Sequence, residues 1–329
     1  MIHQIENVTH HPLKLFEKDK IHPFVQANIE DILVFDIETT GLSHSYNQVI
    51  LIGYLYVKNR EIILEQLFAE TPEEESEILL AFQALSSRFT YLLSYNGNSF
   101  DIPFLNSRYK ANHLDYILDR SQNVDLLRVA RTLSKTLALT DYKLKTVERF
   151  LGIMRQDTIS GKESVELYNN YVLHPTKKLQ HTILLHNYED ILYLGKVLEL
   201  LNYQKKDDLT HIPLSLEYES NRYYIQTYKL TKDFLTVEIF SRDLRQKRHH
   251  FSPRELMLEQ THHVLTLKAP VFQIALEDQH FIFLDIELIS ENNLSFNALS
   301  YEEKLSYLIT PEALPQCVKQ LFTIIDSNL

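Results

Sequence analysis

Two carboxylates interrupt what otherwise reads as a buried strand, and no other stretch limits the fold as strongly. Ile32, Leu33, Val34 and Phe35 form an apolar lead, Asp36-Ile37-Glu38 follows, and Thr39-Thr40-Gly41-Leu42 closes the run with turn chemistry. Side chains alternate across a strand, so Asp36 and Glu38 leave it on one face, one pleat repeat or roughly 7 Å apart. Like charges held that close beside apolar residues are costly unless a positive charge sits between them. Carboxylate oxygens without a thiolate suit a hard divalent ion, Mg2+ or Mn2+, rather than zinc.

A chain of 329 residues allows one large domain or two ordinary ones. With a formal charge of -11, it is not a polyanion binder held by bulk electrostatics, so contact with nucleic acid must come from local basic patches or from metal ions. The single Cys317 excludes a disulfide framework and a cysteine-based zinc site. No apolar run spans a bilayer, and the N-terminus, with Glu6, His10 and His11, lacks a signal-peptide pattern. The expectation is a cytoplasmic protein with no membrane partner.

In chain order, the mixed, polar first thirty residues are expected to wrap the domain edge. Gln48 to Tyr56 and Ile62 to Phe68 read as strands of an antiparallel meander, and Thr71-Pro72-Glu73-Glu74 opens a helix. Tyr91 to Tyr95 is a further strand, stopped by Asn96-Gly97, with a helix beginning after Ser99 and Asp101 in its first turn. That position, beyond the carboxyl end of a strand, is where open α/β sheets keep ligands. Asn123 to Gly152 reads as helical, with Arg128, Arg131, Lys135, Lys143, Lys145 and Arg149 either a solvated face or a phosphate-tracking groove. Gly161-Lys162 is no P-loop, because Glu163 follows it. A helix from about Leu179 to Leu201 carries His186 and Asp190 on one face, four residues apart. Gln204 to Asp208 reads as a charged linker. Beyond it, alternation at 223–228, 234–240, 264–267, 271–276 and 281–288 predicts a smaller β-rich antiparallel domain closed by a helix over 311–325.

Each acid has a plainer reading. Asp36 and Glu38 could be solvated turn residues, Asp101 could serve the helix dipole, and Asp190 could be a solvated helix residue. Asp125 fits a helix cap, or a back-up metal contact. Asp285-Ile286-Glu287 repeats the arithmetic of the first pair without the turn or the partner motifs, and is read as an exposed strand face. The pairs His249-His250 and His262-His263 read as surface residues. Arg242, Arg245, Lys247 and Arg248 read as a hairpin tip before a nucleic-acid guide.

Taken together, the segments resemble the motifs of the DEDD superfamily of 3′-to-5′ exonucleases within the ribonuclease-H-like fold. The first matches at Asp36 to Leu42, the second at Tyr95 to Asp101, the third at His186 to Asp190. Val124 to Leu127, Leu144 to Gly152 and the His186-Asn187-x-x-Asp190 ending also resemble the bacterial YprB-like family. The resemblance covers roughly residues 28–203. It implies an α/β domain with a mixed five-stranded sheet and flanking helices, and leaves the β-rich domain at 209–329 unmatched. It further implies two ions, Mg2+ or Mn2+, with Asp36 bridging, Glu38 and Asp190 on one ion and Asp101 on the other. His186 would orient or deprotonate the attacking water. Thr39, Gly41, Leu42, Asn96 and Phe100 would contact a nucleic acid with a free 3′ end, although Asn96 could simply make its turn. The third motif departs from both main subclasses: a histidine stands four residues before the aspartate, where one subclass has tyrosine. The rival readings are a catalytically weak nucleic-acid-binding module and a protein that recruits a partner through its C-terminal sheet.

Overall fold

A computed structural model describes residues 1–17, 21–155, 159–204, 211–242, 249–251, 256–276, 279–289 and 295–327. Most of the charged stretch after Gln204, together with Arg245, Lys247 and Arg248, lies outside them, as do the side chains of Lys135, His249 and His250. The chain divides into two compact units, Met1–Ile212 and Pro213–Leu329.

The first unit is built on a mixed six-stranded sheet in the order β1-β4-β3-β2-β5-β6. Its strands are β1 (Ile2–Asn7), β2 (Ile32–Thr39), β3 (Val49–Lys58), β4 (Glu61–Phe68), β5 (Tyr91–Ser94) and β6 (Asn123–Asp125). β1 to β4 run antiparallel to their neighbours, while β2-β5 and β5-β6 are parallel. The α/β class is as expected, but the sheet has one strand more than five. The extra edge is β1, which pairs with β4 from Ile2↔Phe68 to Asn7↔Ile63. Because almost every residue of β1 faces solvent, its polar sequence carries no alternation to read. β6 corrects the helical reading of 123–125: three residues pair with β5 before a helix starts at Leu126.

Apolar clusters cover both faces of the sheet. On one face Phe35, Ile37, Tyr54 and Leu67 pack with Ile78 and Phe82 of the Glu75–Ser86 helix and Phe104 of the Asp101–Ala111 helix. On the other, Val34 and Leu55 pack with Ile191 and Leu194 of the Lys177–Val197 helix. Both faces of β2 and β3 are covered, so every residue of the two strands but Asp36 and Lys58 is buried, and outside Asp36, Glu38 and Thr39 their run is almost wholly apolar. The buried Glu75 ties three elements together. It takes a bidentate pair from Arg108 at 2.8 and 2.7 Å, and Oε1 also accepts from the Val49 amide at 2.8 Å. Paired on all sides, the charge can sit in the interior, and it docks the helix that begins with Asp101.

The second unit is antiparallel and is built from β7 (Ser215–Tyr218), β8 (Asn221–Leu230), β9 (Phe234–Phe240), β10 (His249–Phe251), β11 (Met257–Thr261) and β12 (Val264–Leu276), in the order β10-β11-β12-β9-β8-β7, with β13 (Gln279–Leu284) also on β12. β12 is a single strand, Val264–Leu276, that runs through Pro270 rather than two. The Leu314–Ser327 helix closes the core with Leu314, Val318, Leu321 and Phe322. Asp285 to Leu288 is not an exposed strand. Ile286–Ile289 is a helical turn, and the Leu288 amide donates to Asp285 Oδ1 at 3.2 Å. Local side-chain capping outweighs the alternating pattern there.

Candidate active site

β2 lies in the middle of the sheet, and its alternation decides where the first two acids go. Phe35 and Ile37 enter one core, while Val34, Asp36 and Glu38 take the face covered by the Lys177–Val197 helix. Glu38 is only 8% exposed. The register with β3 shifts between Glu38 and Thr39, ending the strand just past the acids.

Asp101 reaches the same place from β5. Because β5 stops at Ser94, β2 pairs with it only from Ile32 to Val34. The Ile37 amide donates instead to Asp101 Oδ1 at 3.2 Å. The turn that aims Asp101 is heavily tied. Asn96 adopts a left-handed backbone, φ 68°. The buried Asp125 accepts from the amides of Asn96 (2.9 Å), Asn98 (3.2 Å) and Leu127 (3.1 Å), so it caps a helix and clamps this turn at once. Gly97 is needed there, since a Cβ would fall 2.0 Å from Ser94 Oγ.

The Lys177–Val197 helix brings the rest. His186 is buried, with Nε2 at 3.5 Å from Glu38 Oε1 and 3.7 Å from Asp190 Oδ2. Ligand atoms of Glu38, His186 and Asp190 all lie within 4.8 Å of one another. Next to His186, the fully buried Asn187 donates to Asp36 Oδ2 at 3.3 Å and accepts at Oδ1 from Gln66 Nε2 at 3.0 Å. Gln66 also donates to the Leu184 carbonyl at 2.9 Å. Gln66 can give only N–H to both, so Asn187 must turn its NH2 towards Asp36. The helix comes this close because Gly53, opposite Asp36, has no side chain: a Cβ would stand 2.1 Å from Asn187 Oδ1. Asn187→Leu, of similar size, leaves Asp36 unheld. The variant's Mn2+ affinity, measured by calorimetry, is expected to fall roughly 10- to 100-fold, as is typical when a partner of a metal-ligating group is lost. An unchanged affinity would remove Asn187 from the site.

Among the described residues, a guanidinium reaches this acidic group. Arg155 forms a two-pronged pair with Glu148 and a third contact with Asp190. The remaining crowding shows in the acids. Burial first, then the charges of Asp101, Asp190 and Glu38, hold Asp36 well above the carboxylate range, with Arg155 partly offsetting them. Burial pushes Glu38 up to about 7 against the opposing pull of His186. Asp101 is pushed up to about 7 by burial, although its backbone hydrogen bonds favour the charged form. Such a set has more negative charge than its own cations balance, and its hard oxygens with one imidazole fit divalent ions of the Mg2+ or Mn2+ type.

The other expected site residues line the strand ends. Thr39 is buried and donates from Oγ1 to the Gly41 carbonyl at 2.7 Å. Gly41 leaves space for the Asn47 side chain, 2.8 Å from a would-be Cβ. Leu42 is 86% exposed, and half-buried Phe100 packs its ring against Phe104 at 5.5 Å. Gln66, Gly53, Asn187, Glu148 and Arg155 had no assigned role in the sequence. Gly53, a glycine inside a run of Val, Ile, Leu and Tyr, was a readable sign of close approach; nothing marked Arg155.

A family model described as RNase_H superfamily matches residues 33–202. The uncharacterized protein YprB of Bacillus subtilis is 30% identical over 175 residues, which cover 51% of this chain and 41% of that protein. The PolC-type DNA polymerase III of Caldanaerobacter subterraneus is 30% identical over 152 residues, 39% of this chain and 10% of the polymerase. That of Mycoplasmopsis pulmonis is 26% identical over 179 residues, 47% and 12%. The chain thus spans well under two thirds of each of these relatives. Among solved structures, the family B DNA polymerase of Pyrobaculum calidifontis aligns with a TM-score of 0.40 at 18% identity, over 62% of this chain and 33% of that one.

Proposed function

Because this chain belongs to the RNase H superfamily, we propose that it is a metal-dependent 3′-to-5′ exonuclease that releases mononucleotides from single-stranded DNA or RNA. One observation carries the reading: carboxylates from a central strand, a strand-to-helix turn and a late helix converge, with Glu38, His186 and Asp190 offering ligand atoms within 4.8 Å of one another. Asp36, Glu38, Asp101 and Asp190 would hold the divalent ions, Mg2+ or Mn2+, with His186 beside them. Bound ions would supply Lewis acidity at the phosphate and neutralise the acids.

The chain's own groups do the rest. His186, buried between Glu38 and Asp190, accepts the proton of the attacking water, a contribution of roughly 10²- to 10⁴-fold. Asn187 holds Asp36 in place, and the backbone amide of Ile37 holds Asp101. Thr39, Gly41 and Asn96 shape the floor for the terminal nucleotide. Exposed Leu42 and the Phe100 ring offer apolar surface to its base, a contact every base can make. Release of mononucleotides from 5′-labelled single strands, DNA and RNA side by side, tests the reading with Mn2+ and with chelator. The expected result is Mn2+-dependent shortening from a free 3′ end and none when that end is blocked. Binding without shortening would replace the enzyme by a nucleic-acid-binding module.

A further inference from the structure

The segment before the third motif contributes a pair of residues outside the acidic quartet. Glu148 lies in the Leu144–Phe150 helix, and its side chain is 1% exposed; that of Arg155 is 7% exposed. Arg155 places Nε and Nη2 on the two oxygens of Glu148, a fork that fixes the plane of the guanidinium. Its Nη1 then meets Asp190 Oδ1, and the guanidinium carbon stands 5.5 Å from the centre of the Tyr193 ring, one turn along the same helix. Asp190 keeps its other oxygen, Oδ2, towards His186 at 3.7 Å.

We propose, on the reading that Asp190 is a metal ligand, that Glu148 and Arg155 form its positioning pair. Arg155 holds one oxygen of Asp190 so that a single oxygen faces the ions, and Glu148 cancels the charge Arg155 brings. The cancellation matters because a guanidinium alone beside Asp190 would repel divalent ions through a poorly screening interior. The fork matters because a point charge could hold Glu148 or Asp190 but not both in one plane.

Two variants of the full chain test these roles by different readouts. Glu148→Gln keeps one acceptor of the fork, sets an NH2 against the other donating prong of Arg155, and leaves the guanidinium's charge unbalanced. Mn2+ affinity, measured by calorimetry without nucleic acid, is expected to fall roughly 10- to 100-fold. Arg155→Lys keeps the charge and loses the fork; its Mn2+ affinity should stay close to the parent's while turnover falls at least about tenfold. Parental Mn2+ binding by Glu148→Gln, or parental turnover by Arg155→Lys, would overturn the pair. The metal titration separates this from the exonuclease reading. A parent that binds Mn2+ yet releases no nucleotide sinks only the latter; an active parent with an indifferent Glu148→Gln sinks only the pair.

Discussion

Asp36→Asn is expected to lower Mn2+-dependent nucleotide release by about a thousandfold, the rate equivalent of roughly 4 kcal/mol, while the protein stays folded. The size follows from position. Asp36 is the acid whose charge is opposed by Asp101, Asp190 and Glu38 together, so it stands where they converge. The substitution keeps the shape and a carbonyl oxygen that can still accept from Asn187, and it removes a charge that the metal-free protein is already strained to hold. Folding should therefore be equal or slightly improved, which makes the loss of rate specific. The comparison is single-turnover release by parent and variant at saturating Mn2+, with thermal unfolding as the control. A variant within tenfold of the parent would remove Asp36 from the chemistry.

The second large effect is a change in how stability depends on pH when metal binds. In the metal-free protein Glu38 and Asp101 are each pushed up to about 7, whereas unfolded carboxylates titrate at about 4. Between these values the folded state binds more protons than the unfolded chain, so stability falls as pH rises through the window. Above it the acids are charged and crowded, and divalent ions relieve them. At about 100 times its Kd, Mn2+ should add roughly 2.7 kcal/mol near pH 8, or roughly 5 to 10 °C in Tm, and much less near pH 5.5, where protons compete. Calorimetric scans at the two pH values, with and without Mn2+, measure this. Glu38→Gln/Asp101→Asn should flatten both the metal-free pH dependence and the Mn2+ shift; a double variant that behaves like the parent would refute the account.

The acids were legible because each sits at a place defined by local chemistry: on an apolar strand, just after Asn96-Gly97, or four residues from a histidine. The flanking strands were legible for the same reason, being buried on both sides. What escaped depends on neighbours far away in the chain. Asn187 acquires its role from Gln66 on one side and Asp36 on the other, with Gly53 opening the way. Arg155 has no periodicity and matters only where Glu148 and Asp190 meet it. β1 hid because an exposed edge can be polar throughout, and Asp285 to Leu288 misled because a capped helical turn imitated alternation.

The early end of β5 has a further consequence. Had that strand continued beside β2 past Val34, the Ile37 amide would be claimed by main chain, and Asp101 would lose the contact that aims it. The sheet is left unfinished on one flank, and it is this missing masonry, rather than any added loop, that makes room for the acids to meet. Inserting two residues after Ser94 is expected to weaken Mn2+ binding, measured by calorimetry, by more than it lowers Tm.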